Sequence, residues 1–215
     1  ALRLALIQGT GPGQDLRLYP EKMESCRRFA NKIWNAGRYI LLTIPLGTPT
    51  APPEKVHSEL AQWLLHGLND LIRHSQTGLE AHRLSDVVGS LRSFFWGEFC
   101  DWYLEMDKKP ERTDEDNQVL AYSYSTLLKL MHPYVPFVTE ALWEQFKQPK
   151  MLAVSEWPQE QSYSFSESHN RIELLREAIS QIRTLREKAN IGLDKKIGAT
   201  LDSEKNAELF RTHQN

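Results

Sequence analysis

The chain has 215 residues, 40% hydrophobic and 25% charged, with a formal net charge of −2. That is the balance of a soluble globular protein with enough chain to bury a core in one large domain or two small ones. The charge argues against general electrostatic capture of nucleic acid, though not against a local basic face, and no apolar run approaches the ~20 residues of a membrane-spanning helix.

Almost nothing reads as a strand. The opening "ALRLALIQG" carries no initiating Met and no signal peptide, and resembles the middle of a longer chain. Ala1 to Ile7 reads as the end of a helix, followed by the loop "GTGPGQD". Pro20 opens a long helix to about Leu42, proline being tolerated in a first turn. Met23, Cys26, Ala30, Ile33, Gly37, Ile40 and Leu41 recur at helical spacing and form its apolar stripe. Arg27, Arg28, Asn31, Lys32, Asn35 and Arg38 fall on the other side, and Trp34 reads as a border residue belonging to the core.

After the connector "TIPLGTPTAPPEK", a second helix is predicted from about Ser58 to His74. A third runs from about Leu84 to Asp107, with Leu84, Val87, Leu91, Phe94, Phe95, Phe99, Trp102 and Met106 inward. Thr113 and Asp116 fit a loose capping box for a fourth helix that ends near Met131. Pro133 and Pro136 then break the pattern, because proline lacks an amide donor and biases its predecessor away from helix. The segment reads as a sharp corner without direct chemistry, leading into a short helix that packs through Phe137, Leu142, Trp143 and Phe146. "MLAVSEWPQ" is irregular or extended. A sixth helix spans about Ser168 to Ala189 with Ile172, Leu175, Ile179, Ile182 and Leu185 inward, and "KKIGATLD" alternates like one strand. The expected fold is an all-α helical bundle with a small irregular or α/β appendage at the C-terminal end. The bundle domain is expected over 1–158 and the C-terminal helix and tail over 159–215.

Catalytic signals are weak. There is no phosphate-cradling glycine loop, and the seven histidines lack metal-ligand spacing. Cys26 and Cys100 lie in apolar helical patterns and read as free buried thiols in a reducing compartment. Glu98, Asp101 and Glu105 sit among aromatics, but pairing with arginines explains them without acid–base work. The feature above background is the basic face of the first long helix, whose cations suit phosphates and whose asparagines suit base edges. A solvated basic face would look the same. Arg183, Arg186 and Lys188 on the last helix are a second, acid-diluted cluster with Arg176.

"FANKIWNAGRYIL", "FFWGEFCDWYLEMDK" and "MHPYVPFVTEALW", in that order, closely resemble the C-terminal part of the valyl-tRNA synthetases. "GQDLRL" before them and "IRTLREKANIGLDKKI" after them extend the likeness over most of the chain. The resemblance implies a helical bundle of the class I synthetase anticodon-binding type, with tRNA(Val) and the catalytic domain of the same parent chain as partners. The parent would be a cytoplasmic, monomeric, ATP-dependent valine–tRNA ligase using Mg²⁺. Neither His-x-Gly-His nor Lys-Met-Ser-Lys-Ser occurs, and no editing domain or coiled-coil arm is present, so no catalysis and no cofactor is expected of this piece alone. Arg27, Arg28, Asn31, Lys32, Asn35 and Arg38 are the tRNA-contact candidates from charge geometry. Trp34 is a stacking candidate, with Arg183, Arg186 and Lys188 as secondary contacts. An isoleucyl- or leucyl-type domain, and a free-standing helical protein-interaction module, are the alternatives. An independent enzyme built on Glu98 and Asp101 ranks last.

Overall fold

The computed structural model describes residues 1–11, 13–192, 195, 196 and 198. In chain order the helices are α1 (Leu2–Ile7), α2 (Pro20–Thr43), α3 (Glu59–Glu80), α4 (Leu84–Ser93), α5 (Leu104–Met106), α6 (Asp114–Met131), α7 (Pro136–Gln145) and α8 (Ser166–Lys188). A π-helical stretch, Phe94–Tyr103, joins α4 to α5. Among the described residues there is no strand, and no helix is long and apolar enough to cross a membrane. The expected strand at 195–202 lies mostly outside the described residues.

α6 is the axle of the bundle. Val119, Leu120, Ala121, Tyr124, Leu127, Leu128 and Leu130 are all fully buried, on every side of the helix, as expected of a helix enclosed by others. Its start is set by the capping box. Asp116 N donates to Thr113 Oγ1 at 3.2 Å while Thr113 N donates to Asp116 Oδ2 at 2.7 Å.

Its end is the proline corner. α6 stops at Met131, and Pro136 takes the first turn of α7, where its missing amide costs nothing. Thr139 Oγ1 lies 2.8 Å from His132 Nδ1 and 3.0 Å from the Val135 carbonyl, which ties the corner together. Leu142 and Trp143 face inward as expected, but Phe137 is 91% exposed. Directly after the N1 proline, it points out from the corner.

α7 folds back onto α2 at Gly37. A Cβ there would stand 2.6 Å from Tyr124 Oη and closer still to Leu142 Cδ2. The glycine lets the backbones approach, and Tyr124 Oη uses that proximity to donate to the Ile33 carbonyl at 2.8 Å.

The third predicted helix is phased differently from expectation. A π-helix closes i→i+5 bonds and so turns less per residue than an α-helix. Phe95, Phe99 and Tyr103 are buried at intervals of four, with Cys100 and Leu104 beside them, while Met106 is 40% and Leu84 41% exposed. A strict α phase had placed Met106 inward as well; Trp102, also expected inward, is half-buried against the core. The same shift separates Glu98, half-buried, from exposed Glu105.

α8 packs antiparallel on α3, which itself runs to Glu80, six residues beyond its predicted end at His74. Arg171 pairs with Glu59 at 2.8 Å, Trp63 Nε1 donates to Glu173 at 2.7 Å, and Asn69 exchanges bonds of 2.7 and 3.1 Å with Gln161. Leu185, expected inward, is 65% exposed because it lies in the distal end of α8. Both cysteines are free and buried, and burial pushes the Cys100 thiol up to about 12.

Candidate nucleic-acid interface

The core stripe of α2 is Cys26, Phe29, Ile33, Ala36, Gly37 and Ile40. A helix rotates about 100° per residue, so the positions between these must face out. Arg27, Arg28, Asn31, Asn35 and Arg38 are exposed and Lys32 is half-buried, so the six predicted positions share one side. Trp34 is 41% exposed. At about 100° per residue it stands about 20° from Arg27 on the side of Met23, which puts it at the edge of the polar arc and open to solvent, and the reading of it as core is overturned.

The face is less positive than its cations alone imply. Glu24 accepts from Arg27 Nε at 2.9 Å and Nη2 at 3.0 Å, and lies 3.9 Å from Arg28. The Arg27 bond holds the Glu24 carboxyl below its usual range. Lys32 Nζ reaches Asp101 at 3.2 Å and stands 5.3 Å over the Trp96 ring. Arg38, Asn31 and Asn35 have no side-chain partner among the described residues. The i,i+3 spacing of Glu24 and Arg27 was visible in the sequence, whereas the Lys32–Asp101 pair spans 69 residues and was not. The result is a solvent-facing strip with an open guanidinium, two open amides and an indole. Those groups suit phosphate oxygens, base edges and unstacked bases respectively.

The α8 cations are engaged differently. The Arg176 guanidinium lies 5.0 Å from the rings of both Trp63 and Trp102, and Arg183 lies 5.0 Å from Trp102. Arg186 donates to the carbonyls of Gly192 and Lys195, closing the end of the helix. Lys188 is exposed. Much of this cluster therefore fastens α8 and its end, in contrast to the open strip on α2.

The carboxylates have structural partners. Asp101 meets Lys32 and Glu105 meets Lys108 at 2.8 Å. Burial raises the Glu98 carboxyl, against the opposing pull of Arg176. Among the described residues no group of three or more His, Cys, Asp or Glu could hold a metal ion. An apolar groove of about 710 Å³ between α1 and the start of α7 is lined by Leu2, Leu6, Tyr134, Val135 and Phe137. It has little with which to hold a phosphate, since Arg3 turns its Nε to the Pro133 carbonyl at 2.6 Å.

A family model described as the anticodon-binding domain of tRNA ligase matches residues 61–201. The chain belongs to that family. This anticodon-binding domain is 37% identical to a valine–tRNA ligase of Solibacter usitatus over 196 residues, 89% of this chain and 22% of that protein. It is 34% identical to those of Staphylococcus carnosus and Bacillus subtilis, over 97% and 92% of this chain. The chain spans only 22–25% of the length of these relatives. The fold is also that of a segment of LeuRS from Agrobacterium radiobacter K84, solved in a ternary complex with tRNA and LeuAMS. The TM-score is 0.61 at 15% identity, covering 74% of this chain and 19% of that one.

Proposed function

We propose that this anticodon-binding domain belongs to a valine–tRNA ligase and binds the anticodon region of tRNA(Val). Similarity to valine–tRNA ligases across most of the chain carries the reading. The outer face of α2 supports the location. Arg38, with Arg27 and Arg28, holds backbone phosphates, Asn31 and Asn35 address base edges, and Trp34 offers a stacking surface. Lys32 joins them by exchanging Asp101 for phosphate. The remaining three quarters of such a ligase would activate valine with ATP and Mg²⁺ and charge the tRNA. This domain's part is to fix the tRNA in register through many modest contacts. The enzyme would work in the cytoplasm.

The test is competition among valine, isoleucine and leucine tRNAs for the purified chain at low salt. Preference for valine tRNA, lost when its anticodon is exchanged, is expected. Equal binding of all three would refute the valyl assignment, and preference for another would reassign the domain. Binding that ignores the anticodon would remove the anticodon from the account.

A further inference from the structure

α8 is fastened to the bundle unlike the other long helices. Of its 23 residues only Ile172, Leu175 and Ala178 are buried, whereas α6, with 18, is buried along nearly its whole length. We propose that α8 is a strap, released from α3 and the π-helical stretch as one unit while the rest of the bundle stays folded, and that Arg176 is its latch. The proposal stands apart from the RNA reading of α2.

The latch joins α8 to two supports at once. The Arg176 guanidinium lies 5.0 Å from the Trp63 ring on α3 and 5.0 Å from the Trp102 ring on the π-helical stretch. Glu173 Oε1 accepts from Trp63 Nε1 at 2.7 Å and also from Arg176 Nη1. Trp63 is 1% exposed, so release of α8 uncovers its ring and its indole N–H together.

The rest of the seat is polar and incompletely satisfied. The Arg171–Glu59 pair is 47% and 37% exposed, and exposed pairs are weakly held. Arg176 Nε and His169 Nδ1 are buried without a hydrogen-bond partner among the described residues. A buried polar atom without a partner has given up its hydration for nothing, so the seat returns less on docking than its contacts suggest. Three buried apolar side chains offset that cost. The margin holding α8 is therefore small beside the one holding α6, which is the condition for opening below global unfolding.

The ends permit a hinge. Asn69 and Gln161 exchange bonds of 2.7 and 3.1 Å, Tyr163 Oη donates to the Pro53 carbonyl at 3.0 Å, and the Tyr163 and Phe165 rings stack at 5.1 Å. The chain is thus anchored up to Phe165 without help from α8. Phe165 gives α8 no side-chain cap, so the first turn adds no hold of its own. At the far end Arg186 donates to the carbonyls of Gly192 and Lys195, bonds that close the strap on itself. α2 packs on α1, α6 and α7, so its outer face keeps its place when the strap opens. A released helix of this length is marginal in water, and its amides exchange.

Native-state hydrogen exchange at pH 7 over a series of low urea concentrations, read by NMR on the purified chain, tests the strap. The amides of residues 172–178 should share one level of protection, lower than that of the α6 amides and less dependent on urea, because less surface is exposed. The Trp63 indole proton should exchange with them. Arg176→Ala should lower that common protection by about 5- to 30-fold, the loss of two cation–π contacts, and leave α6 unchanged. Arg176→Lys, which keeps the charge without the planar stack, should fall between. The wild-type comparison decides the first point without any variant. α8 amides that match α6 in protection and urea dependence would overturn the proposal, because α8 would then open only with the whole fold. Protection that declines steadily from 172 to 178 would overturn it as fraying, and so would an Arg176→Ala variant that lowers α6 and α8 alike.

Discussion

Gly37→Ala tests the packing that positions the candidate interface. Alanine normally stabilises a helix by about 1 kcal/mol relative to glycine. Here the added methyl would meet Tyr124 Oη at 2.6 Å and Leu142 Cδ2 more closely. Both residues are fully buried, so neither can swing into solvent. Leu142 must leave its rotamer well or Tyr124 must release the Ile33 carbonyl. Overpacking costs about 1–3 kcal/mol, and a buried hydrogen-bonding group left unpaired costs a similar amount. Relative to a helix position with room for the methyl, the loss is then about 1–3 kcal/mol, or about 2–12 °C in Tm for a chain of this size. Gly89→Ala is the matched control, because a Cβ there meets nothing within 4 Å. It should gain about 0.5–1 kcal/mol by helix propensity alone. Thermal unfolding followed by circular dichroism reads both. A Gly37→Ala variant as stable as Gly89→Ala would refute the close approach of α2 to α7.

Arg112 Nη1 donates to the nearly buried Asp107 carboxylate at 2.7 Å, so Arg112→Ala strips that carboxylate of its partner and should cost about 3–5 kcal/mol in urea unfolding. Phe137→Ser should leave Tm within about 1 °C, because a side chain 91% exposed gives up little burial. Lowering the pH should loosen α8 through His169, whose ring is held below its ordinary pKa by burial and then by His66, 4.6 Å away between ring centroids. A base with a depressed folded-state pKa takes up more protons when unfolded. Its neutral form therefore supports the fold above about pH 6.5, and that support declines as the pH falls. Facing charges are Asp70, Glu173, Glu98 and Arg176, and burial of the Glu98 carboxyl gives the opposite slope. Hydrogen exchange of α8 amides at pH 7 and 5.5, corrected for the intrinsic pH dependence of amide exchange, should show lower protection factors at the lower pH, with the change reduced in His169→Gln.

The helices were legible because their stripes and caps are local. Pro20, the Thr113–Asp116 box and the Pro133–Pro136 corner each act within a few residues, and each boundary falls where that chemistry puts it. The π-helical stretch was not legible. Its aromatic run satisfies an inward pattern in either phase, and tertiary packing selects the one that buries Tyr103 and exposes Met106. Trp34 shows the opposite case. Its helical position already put it beside Arg27 at the border of the polar arc, but aromatic character argued for the core. The outer face of α2 was readable as charge on one side of a helix. Its pairing with Asp101 depends on a residue 69 positions away and required the fold.

The measurement that tests the central claim most directly is titration of valine tRNA at two salt concentrations. It compares the wild-type chain, a Trp34→Ala/Arg38→Ala variant and an Arg183→Ala/Lys188→Ala variant. All four side chains are exposed, so folding should be preserved and Tm should confirm it. The α2 variant should bind more weakly and lose about 0.7 in the slope of log K against log salt for its missing single-strand phosphate contact, while the α8 variant stays near wild type. Wild-type affinity and slope in the α2 variant, with loss in the α8 variant, would move the RNA surface off α2 and contradict the account.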